Sequence, residues 1–123
     1  MSVLDEIETF IGIPYKKEPP FSIDIGINCL AWVGHIYELC GITLFKDFNN
    51  LRYWREHFTK INDKPKFLDI VLFYSVIIGE RHVGVMLDDY RMTQCSSITN
   101  GVAICEIERI PWNNATKGFY RYK

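Results

Sequence analysis

The sequence has no excess of charge of either sign, because 14 Lys and Arg residues are balanced by 15 Asp and Glu residues, for a formal net charge of −1. Nucleic-acid-binding proteins usually carry a basic excess or a basic stripe. The balance therefore argues against DNA or RNA as a partner. The sequence also lacks an apolar run long enough to cross a bilayer, so we expect no membrane insertion.

The N-terminal residues lack the features of a secretory signal. Residues 1–8 are acidic and amphipathic, whereas an export signal begins with basic residues and continues with an apolar run. The sequence therefore predicts synthesis in the cytoplasm without a signal peptide. A target outside the cytoplasm would have to be reached by another route.

The cysteines lack the spacing of a metal site. None of the four forms a Cys-x-x-Cys pair, and no His lies at ligand spacing from two of them. We therefore expect neither a metal nor a cofactor. In a reducing compartment most thiols stay free, so we expect mostly free thiols at Cys29, Cys40, Cys95 and Cys105.

The length and the order of the elements predict one α+β domain covering residues 1–123. Helical periodicity is present early in the chain, in residues 2–11, 29–40 and 47–58. Short strand-like runs follow at residues 69–74, 82–87, 91–95, 102–107 and 119–122. Because helices precede strands, we expect the helices to pack on an antiparallel sheet. A long loop, residues 12–27, precedes the second helix and is of a kind that often has a function.

Cys29 lies at the first turn of the second predicted helix, directly after the N-cap Asn28. The free amides and the dipole at a helix N-terminus favour negative charge and lower the pKa of a thiol. The position is therefore typical of a cysteine nucleophile. The alternative is a small buried hydrophobic residue, which is the commoner role of a single Cys. Position alone does not decide between the two.

His82 begins a strand in which Val83, Val85 and Leu87 alternate with His82, Gly84 and Met86. The first set is expected to face the core and the second set a cleft. A histidine base needs a polar partner to hold its ring, and Gln94 on the next strand can supply one. Taken singly, each residue is better explained by an ordinary position on a sheet surface.

The remaining candidate residues fit a site less well. His35 is expected to point away from Cys29, and His57 lies in a charged stretch that is expected to be solvated. The other three cysteines are expected to pack in the core. Asp69, at the start of a strand, is expected to cap or order a loop.

Five segments together resemble the NlpC/P60 family of papain-like cysteine peptidases. They are residues 12–15 (Gly-Ile-Pro-Tyr), 28–33 (Asn-Cys-Leu-Ala-Trp-Val), 68–73 (Leu-Asp-Ile-Val-Leu-Phe), 82–87 (His-Val-Gly-Val-Met-Leu) and 92–97 (Met-Thr-Gln-Cys-Ser-Ser). The sequence differs from the family pattern at five positions. Asn28 replaces Asp, Leu30-Ala31 replaces Ser-Gly, Leu68 replaces Gly, and Gln94 replaces the commoner His.

The resemblance implies a fold, an activity and a location. The fold would be papain-like, with the nucleophile at a helix N-terminus packed on the sheet. Cys29 would attack, His82 would act as base, Gln94 would orient His82, and Tyr15 would lie by the nucleophile and help bind the oxyanion. The substrate would be a peptidoglycan stem peptide, hydrolysed at an amide bond. The short chain and its ending, residues 117–122, resemble versions encoded among phage tail genes, which implies a virion location and tail-tip proteins as partners.

Two other interpretations remain open. The domain could be a catalytically weak or inactive structural component of a phage tail tip, which the differences around Cys29 favour. It could also use the same chemistry as an amidase toxin effector.

Overall fold

A computed structural model of the chain describes residues 2–18, 21, 22, 25–44, 51–75 and 79–123. Its helices are α1 (Val3–Thr9), α2 (Cys29–Leu39), α3 (Leu51–His57) and α4 (Trp112–Ala115), and its strands are β1 (Phe58–Ile61), β2 (Ile70–Ser75), β3 (Gly79–Met86), β4 (Arg91–Ser96), β5 (Gly101–Glu106) and β6 (Thr116–Tyr122). The strands form one sheet in the order β1-β6-β2-β3-β4-β5, with every neighbouring pair antiparallel. The predicted α+β class is confirmed. In the described part of the chain, no helix is long and apolar enough to cross a membrane.

Helix α2 begins and ends where its capping residues predict. The Asn28 side chain accepts a hydrogen bond from the Ala31 amide at 2.8 Å, which satisfies one of the free amides of the first turn. Gly41 follows the C-cap with a φ of +81°, a conformation that costs glycine little. Asn28 therefore fixes Cys29 as the first residue of the helix, and Gly41 marks its end.

Helix α2 packs against the sheet through four buried side chains: Trp32, Val33, Ile36 and Tyr37. Two of them carry polar groups that also find partners. The Trp32 indole donates to the Thr93 hydroxyl of β4 at 3.0 Å, and the Tyr37 hydroxyl donates to the Leu68 carbonyl at 2.7 Å. Because a buried polar group without a partner is costly, these bonds help to fix the position of the helix over the sheet.

Both faces of β3 are buried from His82 to Met86, which differs from the predicted cleft face. Val83, Val85 and Leu87 join the cluster under α2, as the alternation predicts. Met86, on the other face of β3, packs in a second cluster with Trp112 of α4. The short helix α4 covers this face.

The third predicted helix ends one residue earlier than expected. Of the predicted residues 47–58, those before 51 lie outside the described residues, and the helix ends at His57. Phe58 begins β1, which pairs with β6 and was not predicted. Among the four residues of β1, only Phe58 is buried. The strand therefore lacks the alternation of buried and exposed residues by which a strand is recognised in a sequence.

Candidate active site

The segment before α2 holds Cys29 close to the start of the chain's long loop. Tyr15 pairs with Ile27 in a parallel bridge, in which the Ile27 amide donates to the Pro14 carbonyl at 3.0 Å and the Lys16 amide donates to the Ile27 carbonyl at 2.8 Å. Tyr15 is thereby fixed near Cys29, which lies only two residues after Ile27. The pKa of Tyr15 is raised, mainly by burial and also by the neighbouring Cys29.

The strands that carry His82 and Gln94 lie close together, because a Cβ on Gly84 would come within 3.4 Å of Gln94 Cβ. The pairing of β3 with β4 covers Val85↔Thr93 and Met86↔Met92, and it does not extend to the residues before Val85. The backbone amide of Val83 lowers the pKa of the Cys29 thiol. Cys29 is therefore near the residue that follows His82 in β3.

The pKa of Cys29 differs from the sequence-based expectation. Interactions with the backbone amides of Val83, Leu30 and Cys29 itself lower the pKa, as expected at a helix N-terminus. Burial of the thiol has a larger opposing effect, so its pKa is raised above the ordinary value. The prediction of a lowered pKa is wrong, and Cys29 is a neutral thiol near pH 7 that needs a base.

His82 is enclosed and hydrogen-bonded. Its Nε2 lies 2.9 Å from Gln94 Oε1, and the residue is 5 % exposed. The ring lies between Phe73, at a centroid distance of 5.9 Å, and Trp112, which stacks on it at 6.0 Å. Burial lowers the pKa of His82, although the bond to Gln94 opposes that shift. The imidazole is therefore neutral near pH 7, as a general base must be.

Trp112 and Cys95 are neighbours of the site that the sequence did not indicate. Trp112 lies in a four-residue helix without periodic pattern, so nothing in the sequence connects it with His82. Cys95 is buried and donates to the Ile27 carbonyl at 3.3 Å. Burial and the nearby Cys29 raise its pKa to about 12, so it stays protonated. Cys95 is thus a core residue, as predicted, that also lies next to the candidate nucleophile.

The other two histidines lie outside this group. His35 packs against Trp32 and Phe10, and its buried Nε2 has no hydrogen-bond partner. His57 is half-buried and stacks on Tyr53, rather than being solvated as predicted. Within the residues that the structure describes, no group of three or more His, Cys, Asp or Glu side chains could hold a metal ion. All four cysteines are free thiols.

Asp69 orders a loop, as predicted, and lies in a separate network. Its carboxylate accepts from the Lys66 amide at 2.7 Å and from Arg121 at 2.9 and 2.8 Å. The preceding residue, Leu68, has a φ of +79°. This left-handed conformation explains the Gly of the family pattern at that position, because glycine adopts it without steric cost.

Several solved structures resemble this chain, and three of them are as follows. A Staphylococcus aureus protein described as similar to a lipoprotein of the NLP/P60 family has a TM-score of 0.74 and 18% identity, covering 97% of this chain and 39% of that one. An NlpC/P60 family protein from Bacillus cereus has a TM-score of 0.75 and 21% identity, covering 98% and 39%. The peptidoglycan hydrolase RipB from Mycobacterium tuberculosis has a TM-score of 0.67 and 16% identity, covering 96% and 61%.

The likeness is one of structure. No family model and no curated protein matches the sequence. This chain spans about two fifths of the first two structures and about three fifths of the third. It has the α+β fold of NlpC/P60 proteins, at low sequence identity to them.

Proposed function

We propose that this protein is a cysteine peptidase that hydrolyses amide bonds in peptidoglycan stem peptides. Cys29 is the nucleophile, His82 is the general base, and Gln94 orients the base. The observation that carries the proposal is the 2.9 Å bond between His82 and Gln94. The bond orients a neutral imidazole. His82 directly precedes Val83, whose amide lowers the pKa of the Cys29 thiol.

The reaction begins with a neutral thiol and a neutral imidazole, because the pKa of Cys29 is raised and that of His82 is lowered. The Cys29 sulfur attacks the amide carbon while its proton passes to His82 Nδ1, the ring nitrogen that Gln94 does not bind. The resulting oxyanion is bound by the Cys29 amide and the Tyr15 hydroxyl. When the C–N bond breaks, the leaving amine takes the proton from His82 and a thioester remains on Cys29.

Hydrolysis of the thioester completes the cycle. His82, neutral again, takes a proton from a water molecule as that water attacks the thioester carbon. Breakdown of the second tetrahedral intermediate returns the proton to the Cys29 sulfur and releases a carboxylic acid. Every group in the cycle belongs to this chain or to the substrate, so no step requires a cofactor.

The substrate class is supported by the likeness to the peptidoglycan hydrolase RipB and by the family resemblance of the sequence. The resemblance also points to a bond following D-glutamate. A virion location is a further proposal, supported by the resemblance of residues 117–122 to proteins encoded among phage tail genes. Mass spectrometry of purified phage particles from cells that encode this chain tests it. Detection among the tail proteins supports the location, and absence from the particles contradicts it.

An inactive structural component is the second candidate, and the raised pKa of Cys29 favours it. The experiment that separates the two is digestion of purified peptidoglycan, with released fragments identified by mass spectrometry. Cys29→Ala is compared with Cys40→Ala, a matched control at the opposite end of the same helix. Release by the wild type and by Cys40→Ala, but not by Cys29→Ala, supports the peptidase. No release by a correctly folded wild type supports the structural role.

A further inference from the structure

The His82–Gln94 bond continues into a turn that the sequence did not connect with the site. Gln94 Nε2 donates to the Thr99 hydroxyl at 2.8 Å, and that hydroxyl donates to the Gly101 carbonyl at 2.8 Å. Thr99 lies in the turn that joins β4 to β5 and is half-buried. Four residues, His82, Gln94, Thr99 and Gly101, therefore form one chain of hydrogen bonds.

The direction of every bond in this chain follows from its last member. A backbone carbonyl can only accept, so the single hydroxyl proton of Thr99 points to Gly101. The Thr99 oxygen must then accept from the amide nitrogen of Gln94, which turns Gln94 Oε1 toward His82. Because Oε1 can only accept, His82 must carry its proton on Nε2. Nδ1 is left unprotonated and able to take a proton.

The Gly101 carbonyl is itself held in place. The Val102 amide donates to the Ile13 carbonyl at 2.9 Å, and the Gly12 amide donates to the Val102 carbonyl at 2.9 Å. Gly101 has a φ of +138°, and a Cβ there would collide with the Ile13 carbonyl. The chain of bonds therefore ends on backbone that two further hydrogen bonds fix.

The other neighbours of Gln94 cannot set this direction. Cys105 Sγ lies 3.7 Å from Gln94 Nε2, but a thiol is both a weak donor and a weak acceptor and would tolerate a flipped amide. Ser96 Oγ, 3.4 Å from the Thr99 hydroxyl, does not reach Gln94 in any bond that the described residues show. Thr99 is the neighbour that distinguishes the two ends of the amide.

We propose that Thr99 is a positioning residue: its hydroxyl fixes the amide orientation of Gln94 and thereby the His82 tautomer that has Nδ1 free to act as base. The inference about catalysis rests on the proposed peptidase function, whereas the inference about the tautomer does not. Loss of the hydroxyl lets the Gln94 amide flip, and a flipped amide favours the tautomer with the proton on Nδ1. That tautomer cannot accept the Cys29 proton.

The test compares Thr99→Val, which keeps the side-chain shape without the hydroxyl, with Thr99→Ser, which keeps the hydroxyl. The readout is the ¹⁵N chemical shifts of the His82 ring in labelled protein, measured above the pKa of His82. Signals of His35 and His57 in the same spectra report whether the fold is retained. If Thr99→Val does not fold, Thr99→Ala takes its place.

In the wild type and in Thr99→Ser, we expect a protonated Nε2 and an unprotonated Nδ1. In Thr99→Val we expect a mixture of tautomers, and kcat on a soluble muropeptide lower by roughly three- to tenfold, the range set by one ordinary hydrogen bond, with KM unchanged. A wild type protonated on Nδ1, or a folded Thr99→Val with the wild-type spectrum, would overturn the inference. A wild type with the expected spectrum and no peptidase activity would instead overturn the proposed function.

Discussion

Two buried polar networks lie on this sheet, and they differ in charge and in direction. The Asp69 network is ionic, because a carboxylate that is 3% exposed accepts two bonds from Arg121 and one from the Lys66 amide. The His82 network is neutral and passes through Gln94 and Thr99 to a carbonyl. The first occupies both carboxylate oxygens, while the second leaves one ring nitrogen for chemistry.

The difference indicates what each network does. A charged, fully bonded group such as Asp69 holds the segment before β2 in place, and any change there should act on folding. A neutral chain of bonds stabilises the fold less, but it decides where a proton lies. We therefore expect substitutions in the His82 network to affect turnover more than stability, and substitutions of Asp69 to do the reverse.

The largest expected effect is that of His82→Gln. Glutamine retains much of the ring's volume between Phe73 and Trp112 but cannot act as a base. We expect kcat/KM on a soluble muropeptide to fall by about 10²–10⁴-fold, with the free energy of unfolding changed by about 1 kcal/mol. Turnover close to that of the wild type would show that His82 is not the base. It would also contradict the expectation that the His82 network acts mainly on turnover.

Tyr15→Phe is expected to have the next largest effect. The substitution removes only the hydroxyl that we place at the oxyanion, and the backbone bridge between Tyr15 and Ile27 is retained. Loss of one oxyanion donor lowers kcat by about 10²–10³-fold, and we expect the lower end of that range. Equal kcat values for Tyr15→Phe and the wild type would show that the Tyr15 hydroxyl does not bind the oxyanion. Of the two proposed donors, only the Cys29 amide would then remain.

Asp69→Asn tests the ionic network. The amide keeps the oxygen that the Lys66 N–H and Arg121 Nη2 share, but it loses the acceptor for Arg121 Nε and the negative charge of the pair. We expect the free energy of unfolding to fall by about 1–3 kcal/mol, measured by urea denaturation. Turnover of the folded protein should stay at the wild-type value. A variant of wild-type stability with reduced turnover would show that the two networks are not separate in function.

The smallest expected effect is a pH dependence of stability due to His82. Burial holds the folded pKa of His82 below the ordinary value of about 6.5, so the unfolded chain binds a proton first as the pH falls. Stability should therefore decrease as the pH falls from 6.5 toward the folded pKa, by at most about 1.4 kcal/mol per pH unit. Urea denaturation at pH 7.0 and 5.5 measures the decrease. The free energy of unfolding of His82→Gln should decrease less between these two pH values. A decrease equal to that of the wild type would show that groups other than His82 cause it.

Local signals predicted the elements that position the candidate site. Asn28 and Gly41 predicted the bounds of α2, and the alternation of residues 82–87 predicted the strand that carries His82. The same alternation placed Gln94 on the neighbouring strand, where the 2.9 Å bond to His82 is found. Capping and alternation depend on residues close in the chain, so a sequence can reveal them.

Features that depend on distant residues could not be predicted. The raised pKa of Cys29 results from burial against the sheet, which no helix-end signal contains. Trp112 reaches His82 from a four-residue helix, and Thr99 reaches Gln94 from a turn. Neither segment has a period that indicates which side chain it brings to the site.

The central claim is that Cys29 forms a covalent acyl intermediate, and the most direct test is to trap it. Wild-type protein is mixed with a soluble muropeptide, quenched with acid within milliseconds to seconds, and digested for peptide mass spectrometry. The account predicts an added mass equal to the acyl part of the muropeptide on the peptide that contains Cys29, and none on peptides containing Cys40, Cys95 or Cys105. Hydrolysis of the muropeptide with no acyl group on Cys29 at any time, or with the group on another cysteine, would contradict it.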